Sequence, residues 1–251
     1  EIEQNLAHEK KLKMVKERQT SHALRKEEQV IVKEKLQEEL ASILDKKWIP
    51  HFNTGNYSGA WNVISLYAQD GNASNIFALA DDNVPLRETE VLNTCTYLKS
   101  VIKTFKSPII SARILKLGAG AEIKAHRDHE LGYEDGNFRL HVPIVTNADV
   151  QFILDGDKLV MLPGECWYTN VNYIHSVKNA GDEDRIHLVI DCSRNEWSDQ
   201  LFFSLAPKSS FKPIPEEKLS QETLTRMIEE LKAQDSPAAQ QLINDLSKKL
   251  H

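Results

Sequence analysis

Between Ile109 and Asp191 the spacing of apolar residues changes from a period of about 3.6, typical of helices, to a period near 2, typical of strands. The alternating segments are short, and turn signals such as Asp155-Gly156 and Pro163-Gly164 separate them. Many short strands joined by tight turns favour a β-sandwich or a barrel. The segments predicted as strands are 112–117, 138–145, 150–154, 158–162, 166–169 and 185–192.

Both ends of the chain have a helix-forming composition. Residues 1–47 are rich in Lys, Glu and Arg, contain neither Gly nor Pro, and carry a partial apolar stripe that includes Leu36 and Leu40. This segment is either a helix packed on the core through that stripe or an arm for dimerisation. A second helix is predicted over 88–105, and Ser236 before Pro237 is typical of the start of a C-terminal helix.

With 251 residues and 41% hydrophobic content, the chain can bury one good core with a smaller appendage. We predict three regions. They are an N-terminal helical extension (1–47), a β-rich domain that includes the helix over 88–105 (48–204), and a small C-terminal helical appendage (205–251).

Composition also limits the partners. The net charge is −6 and no basic cluster lies near the candidate site, so we expect no nucleic-acid partner. No apolar run approaches the roughly 20 residues of a membrane-spanning helix, and the first residues have no apolar segment typical of a signal peptide. The isolated Cys95, Cys166 and Cys192 argue against a zinc ribbon and fit a reducing compartment. We expect a cytoplasmic protein that does not contact membranes.

His126, Asp128, His175 and Arg185 are the strongest candidates for chemistry. Two imidazoles and one carboxylate suit iron(II), which they can hold on one face while the opposite coordination positions stay open. An arginine just beyond the last ligand could bind an acidic cosubstrate. Each signal is weak alone, since HxD pairs arise by chance and Arg185 could pair with the acidic residues that precede it. Their order and spacing together favour an oxygenase.

Charged and polar residues also lie inside otherwise apolar strands. Residues two apart share a face of a strand, so Arg139 lies beside His141 and Arg185 beside His187. Burying such groups is costly unless they meet a partner, so we expect an anionic ligand inside the barrel. His187 is either a ligand contact or a hydrogen-bonded core histidine. His129, next to the aspartate of the HxD pair, is a rival metal ligand, but adjacent strand residues face opposite ways.

Together these motifs resemble the aspartyl/asparaginyl β-hydroxylase family of iron(II)- and 2-oxoglutarate-dependent oxygenases, including its bacterial proline hydroxylase relatives. The similarity spans roughly Trp61 to Cys192 and leaves out the terminal helical regions. It is carried by Arg113-Ile114-Leu115-Lys116-Leu117-Gly118 leading into His126-Arg127-Asp128, by Phe138-Arg139-Leu140-His141-Val142-Pro143-Ile144, by Pro163-Gly164-Glu165-Cys166-Trp167-Tyr168, and by His175 with Arg185.

The resemblance implies a mainly β fold with flanking helices, built on a double-stranded β-helix, the jelly-roll architecture of cupins. It implies that His126, Asp128 and His175 bind iron and that Arg185 pairs with the distal carboxylate of 2-oxoglutarate. The resemblance also implies that Arg139 and His141 contact the cosubstrate. It implies that Trp61 and Ser65 belong to an upstream segment that borders the site.

The implied activity is hydroxylation of an unactivated C–H bond with O2, with succinate and CO2 as coproducts. Asp128 narrows the substrate, because animal members that act on Asp or Asn in secreted domains lack this carboxylate ligand, whereas bacterial free-amino-acid hydroxylases have it. We therefore expect a small substrate, a free amino acid or an amino-acid residue. The acidic loop 129–137 is either a substrate contact or a plain surface loop.

Other functions fit the same residues. A non-catalytic cupin-like module would hold a metal or a small acid in the barrel and recruit a partner through its helical ends. A zinc site with the same ligands would hydrolyse its substrate without O2. The terminal helices could also join two copies in a homodimer.

Overall fold

The chain forms two compact units, Glu1–Pro213 and Ile214–His251. Ser236 and Pro237, predicted to begin a C-terminal helix, lie outside the described residues. The division into three regions stays a prediction. The structure is a computed structural model, and the residues that it describes are 21–23, 31–76, 85–211 and 221–232, together with Ile243 and Ser247.

Strands are the main secondary-structure type in the described part of the first unit, as the period-2 segments predict. In chain order they are β1 (Ser21–Ala23), β2 (Ile49–Pro50), β3 (Tyr57–Ser58), β4 (Trp61–Ala68), β5 (Arg87–Glu88), β6 (Ile109–Leu117), β7 (Glu122–His126), β8 (Asn137–Val145), β9 (Val150–Leu154), β10 (Asp157–Leu159), β11 (Trp167–Thr169), β12 (His175–Asn179) and β13 (Arg185–Ser193).

The strands pair in two antiparallel sheets. The larger sheet has the order β1-β11-β8-β13-β6-β4-β2, with β5 paired to β4, and the smaller has the order β10-β9-β12-β7-β3. From β6 to β13 the chain alternates between them, since β6, β8, β11 and β13 belong to the larger sheet and β7, β9, β10 and β12 to the smaller. This alternation is a double-stranded β-helix of the jelly-roll, cupin-like kind, and it confirms the predicted fold.

The turn signal at Asp155-Gly156 is confirmed as a two-residue hairpin between β9 and β10. Leu154 and Asp157 are cross-strand partners, and the two residues between them have φ values of 49° and 84°. A left-handed backbone at both central positions matches the right-handed twist of the flanking strands, and Gly accepts it without steric cost.

Strand β13 has both faces covered, because every residue from Arg185 to Cys192 is buried. One face, with Leu188 and Ile190, packs in a core shared with the helices. The other face carries Arg185 and Asp191 toward the space between the two sheets. The larger sheet therefore presents an apolar surface to the helices and a charged surface to the interior.

The helical prediction for residues 1–47 is corrected at Ser21–Ala23, which form strand β1 against β11. The exposed edge of β11 offers unpaired backbone groups, and pairing with them overrides helix propensity. The first described helix begins at Lys33, and its buried Leu36 and Leu40 pack into the core, as the first of the two alternatives predicted. The helices are α1 (Lys33–Ala41), α2 (Glu90–Thr94), α3 (Thr96–Thr104), α4 (Glu196–Leu205) and α5 (Gln221–Lys232).

The single helix predicted over 88–105 is wrong in two respects: Glu88 belongs to strand β5, and Cys95, which is fully buried, separates α2 from α3. Glu39 of α1 explains the break. Its carboxylate accepts hydrogen bonds from the backbone N–H groups of Tyr97 (2.6 Å) and Leu98 (2.7 Å). These are first-turn donors that a new helix leaves unpaired, so a side chain distant in sequence starts α3. None of the helices in the described residues combines the length and the apolar character that a bilayer crossing requires.

Candidate functional site

Three predicted metal ligands come together where the smaller sheet meets a loop. His126 is the last residue of β7 and is the cross-strand partner of His175, the first residue of β12. Asp128 lies two residues beyond β7, where its backbone N–H donates to Val171 O at 2.9 Å. One donor atom from each of the three residues lies within 4.8 Å of the other two, and His126 Nε2 is 3.6 Å from Asp128 Oδ1.

Backbone carbonyls set the tautomer of both imidazoles. His126 Nδ1 lies 2.8 Å from Lys124 O, and His175 Nδ1 lies 3.1 Å from Tyr173 O. A carbonyl oxygen only accepts, so Nδ1 of each ring carries the proton and the lone pair is on Nε2. Burial, with His126 beside it, lowers the pKa of His175 to about 4, so this ring stays neutral and able to ligate at lower pH than a free histidine.

The third donor, Asp128, is oriented by a chain of buried ion pairs. Its Oδ2 pairs with Arg139 Nη1. Arg139 is held in turn by Asp191, to which Nε donates at 2.7 Å and Nη2 at 3.1 Å. Asp191 is 1% exposed and also accepts from Arg113 Nη2 at 2.9 Å and Ser111 Oγ at 2.8 Å.

The two carboxylates in these ion pairs, those of Asp128 and Asp191, are ionised. Burial alone would raise the pKa of Asp128, but Arg139 and the two imidazoles outweigh it and lower that pKa. Burial likewise opposes ionisation of Asp191, yet Arg139 and Arg113 hold its pKa well below the ordinary value.

A cavity of about 420 Å³ lies beside the donor group. The predicted contacts Arg185, Arg139, His141 and Trp61 all line it. Ser65 does not: it is buried elsewhere, and its hydroxyl donates to Asn75 O at 2.6 Å. The rival ligand His129 lines the cavity as an exposed side chain, and His126, Asp128 and His175 form the donor group without it.

Arg185, the first residue of β13, is a buried cation that makes no ion pair with a carboxylate in the described part of the chain. It is 3% exposed. Its Nη2 donates to His187 Nδ1 at 2.9 Å, and its Nε has no hydrogen-bond partner among the residues that the structure describes. Burial lowers the pKa of this guanidinium to about 9. Such a group is costly to bury unless an anion pairs with it.

Further unpaired polar atoms line the same cavity. Both ring nitrogens of His141, Nε of Arg113 and Nε1 of Trp61 are buried with no hydrogen-bond partner among the described residues. Burial, with Arg185 and Arg139 nearby, holds the pKa of His141 well below its ordinary value, so this ring is neutral. Buried polar groups are nearly always paired, so their concentration here indicates a ligand site.

Sequence reasoning missed three residues of this site. Arg113 and Asp191 lie on the interior faces of β6 and β13. Each is a charged residue within an otherwise apolar strand, and this pattern could have identified both as site residues. His51 follows β2 without such a signal, and its ring stacks on Trp61 with 3.5 Å between centroids. Burial, followed by the charge of Arg113, lowers the pKa of His51 to about 4.

These residues fit a divalent metal and a small dianion. Two imidazoles and one carboxylate are a donor set for a first-row metal with open positions. The unpaired Nε of Arg185 and the unpaired nitrogens of His141 supply hydrogen-bonding capacity for an anion in the same cavity. The donor chemistry and the unpaired polar atoms thus support a metal and an acidic ligand side by side.

Alternating strands in two sheets, with two histidines and an aspartate converging on an interior cavity, define a cupin-type protein with a candidate metal centre. Residues 32–195 match the model of the aspartyl/asparaginyl beta-hydroxylase family. Because this match covers more than half of the chain, the chain belongs to that family of hydroxylases.

Solved structures also resemble the chain, at low identity. A 2OG-Fe(II) oxygenase family oxidoreductase from Burkholderia pseudomallei is 12% identical, with a TM-score of 0.42 over 63% of this chain and 78% of that one. A prolyl-4-hydroxylase from Pseudomonas putida is 13% identical, with a TM-score of 0.42 over 70% and 91%. The Cnp3 cupin domain of Schizosaccharomyces pombe is 11% identical, with a TM-score of 0.31 over 58% and 72%. No curated protein sequence matches this chain.

Proposed function

We propose that this protein is an iron(II)- and 2-oxoglutarate-dependent dioxygenase. It hydroxylates an unactivated C–H bond of a small substrate, a free amino acid or an amino-acid residue, with succinate and CO2 as coproducts. The observation that carries the proposal is the buried guanidinium of Arg185, which makes no ion pair with a carboxylate among the described residues and lies in the same cavity as the His126, Asp128 and His175 donors.

Each of these residues has a distinct task in the proposal. His126 Nε2, His175 Nε2 and an oxygen of Asp128 would hold the iron, while Arg139 pairs with Oδ2 of Asp128. Arg185 takes the distal carboxylate of 2-oxoglutarate, because a guanidinium can form two parallel hydrogen bonds with a carboxylate. When bound, the iron and the cosubstrate supply the oxidising chemistry, and the protein supplies position and electrostatics.

His141 and Arg113 support the cosubstrate end of the cavity. His141 is buried and neutral, so it offers one donor and one acceptor without adding charge. Arg113 keeps one unpaired N–H while Asp191 fixes its other end. Both groups strengthen anion binding because their polar atoms are buried, where water screens a charge less than at the surface.

The substrate would enter past Phe52, Asn53, Arg127 and His129, the exposed residues among those that line the cavity. A volume of about 420 Å³ lies in the lower part of the range of roughly 300–1,000 Å³ for small-molecule pockets. It suits a compact substrate such as an amino acid. The predicted cytoplasmic location and the homodimer through the terminal helices stay predictions.

The test supplies the protein with iron(II), 2-oxoglutarate and pools of free amino acids or short peptides. Formation of succinate together with a product heavier by one oxygen atom is the expected result. Both signals should vanish when O2 or iron is withheld. Product formation without O2 would contradict an oxygenase and favour hydrolysis.

A further inference from the structure

A second cavity, of about 280 Å³, lies on the far side of Arg185. Among the described residues that line the two cavities, Arg185 and Phe152 are common to both. The guanidinium carbon of Arg185 is 5.7 Å from the centroid of the Phe152 ring. These two side chains therefore separate the metal-side cavity from the second one.

His187 provides a free hydrogen-bond donor in the second cavity. It lines this cavity but not the metal-side one, and it is 1% exposed. Its Nδ1 accepts from Arg185 Nη2 at 2.9 Å, so the proton of the neutral ring is on Nε2. That N–H has no acceptor among the described residues. A buried donor of this kind indicates a ligand that the structure does not contain.

The charges of the second cavity favour an anion. Arg185 lies inside it and the exposed Lys158 lies on its wall, while no Asp or Glu is among the described residues that line it. Two cations with no opposing carboxylate concentrate positive potential in a low-dielectric space. An anionic group is therefore the expected occupant of the Arg185 end.

The rest of the wall is apolar. Leu159 and Met161 are buried there, whereas Val160 and Leu162 are 45% and 55% exposed. A ligand with an alkyl chain would cover these exposed side chains and remove apolar surface from water. The volume is at the small end of the range for ligand pockets, so the chain must be short.

We infer that the second cavity binds a short-chain alkyl carboxylic acid. Its carboxylate accepts from Arg185 and from His187 Nε2–H, and its alkyl chain packs on Leu159, Met161 and Leu162. This site is separate from the metal centre. Its one link to the proposed function is Arg185. A short-chain acid such as hexanoate would compete with 2-oxoglutarate for this guanidinium, so each would weaken the binding of the other.

Methionine methyl NMR tests the site without iron or turnover. The chain has three methionines, Met14, Met161 and Met227, and Met161 alone lines the cavity among the described residues. In protein labelled with 13C at the methionine methyl groups, sodium hexanoate should shift the Met161 signal in a saturable way. Hexanol, which has no carboxylate, and succinate, which has no alkyl tail, should each bind at least tenfold more weakly.

Two variants and a control make the test specific. In His187→Asn the amide can still accept from Arg185 but places no donor at the Nε2 position, so hexanoate should bind about tenfold more weakly. Leu162→Glu changes an exposed wall residue, keeps the fold and should also abolish the response, because it places a charged group where the alkyl chain packs. His129→Asn is the matched control, because the exposed His129 lines only the metal-side cavity, and it should respond as the wild type does.

The inference is overturned if hexanoate leaves the Met161 signal unchanged, if hexanol or succinate binds as well as hexanoate, or if both variants keep wild-type affinity. None of these results would bear on the proposed oxygenase. Conversely, hexanoate could bind as expected while 2-oxoglutarate leaves its affinity unchanged. That result would support the proposed site in the second cavity and contradict the assignment of 2-oxoglutarate to Arg185.

Discussion

Asp191 holds Arg139 with two hydrogen bonds, of 2.7 Å from Nε and 3.1 Å from Nη2, and the two residues are cross-strand partners on β13 and β8. Because both contacts are fixed within the sheet, the remaining Nη1 is directed at Asp128. Asp191 therefore orients a metal ligand through an arginine, in the way that carboxylates behind metal-binding histidines orient their rings.

Asp191→Asn should weaken Co(II) binding about 10- to 100-fold, because Arg139 loses its charged anchor and Asp128 its fixed orientation. The variant also leaves two buried arginines with one carboxylate fewer, which should lower the free energy of unfolding by about 3–5 kcal/mol. Co(II) absorption titrations and urea unfolding measure the two effects.

A milder companion to this variant is Ser111→Ala, which removes a single hydrogen bond to Asp191 and should keep the fold. Glu88→Gln is the control, since Glu88 pairs with Lys99 on a partly exposed surface. A folded Asp191→Asn protein with wild-type Co(II) affinity would contradict the positioning role.

Replacing His175 or Asp128 with Ala should abolish Co(II) binding, since each removes one of three donors. His129→Ala is the matched control, because His129 is exposed and stands outside the donor group. It should bind Co(II) within a factor of about two of wild type. If His129→Ala strongly loses Co(II) affinity and Asp128→Ala retains it, His129 and not Asp128 is the third ligand.

Arg185→Met should have opposite effects on stability and on binding. Without a ligand, the wild-type protein buries an uncompensated cation, so the variant should unfold at higher urea, with a gain on the order of 2 kcal/mol. At the same time its requirement for 2-oxoglutarate should rise at least about 100-fold. Arg127→Met, at an exposed position, should change stability by less than about 0.5 kcal/mol. A lower free energy of unfolding for Arg185→Met than for wild type would contradict the premise that the Arg185 guanidinium is uncompensated in the ligand-free protein.

Stability should fall between pH 7.5 and 5.5, in part because of His51. Burial lowers the pKa of His51 in the folded protein to about 4, whereas in the unfolded chain it lies near the ordinary value of 6.5, so below pH 6.5 the unfolded chain takes up a proton that the folded protein does not bind. For one such group the loss at pH 5.5 is about 1 kcal/mol. His51→Phe keeps a ring on Trp61 but cannot titrate, so urea unfolding of metal-free protein should show a pH dependence smaller by about 1 kcal/mol. An unchanged dependence would remove His51 from the explanation.

The strand-rich core could be predicted where the apolar alternation is strong, as in β8 and β13, because one face of each strand meets the helices. The ligand-bearing strands β7 and β12 were not predicted as strands. Each is five residues long and contains exposed or charged positions, so the alternation of apolar and polar residues is too weak to recognise. The break at Cys95 was also missed, because Glu39, which starts α3, is distant in sequence.

The amino-acid sequence by itself determined the donor types, their order along the chain and the presence of a cation after the last histidine, because these depend on residue chemistry and spacing. Only the tertiary structure decided that Arg139 is tied to Asp128 and Asp191, that Ser65 lies away from the cavity and that His187 faces a different cavity from His141. These outcomes depend on which strands become neighbours. Strand pairing brings together residues far apart in the chain, and no local pattern encodes it.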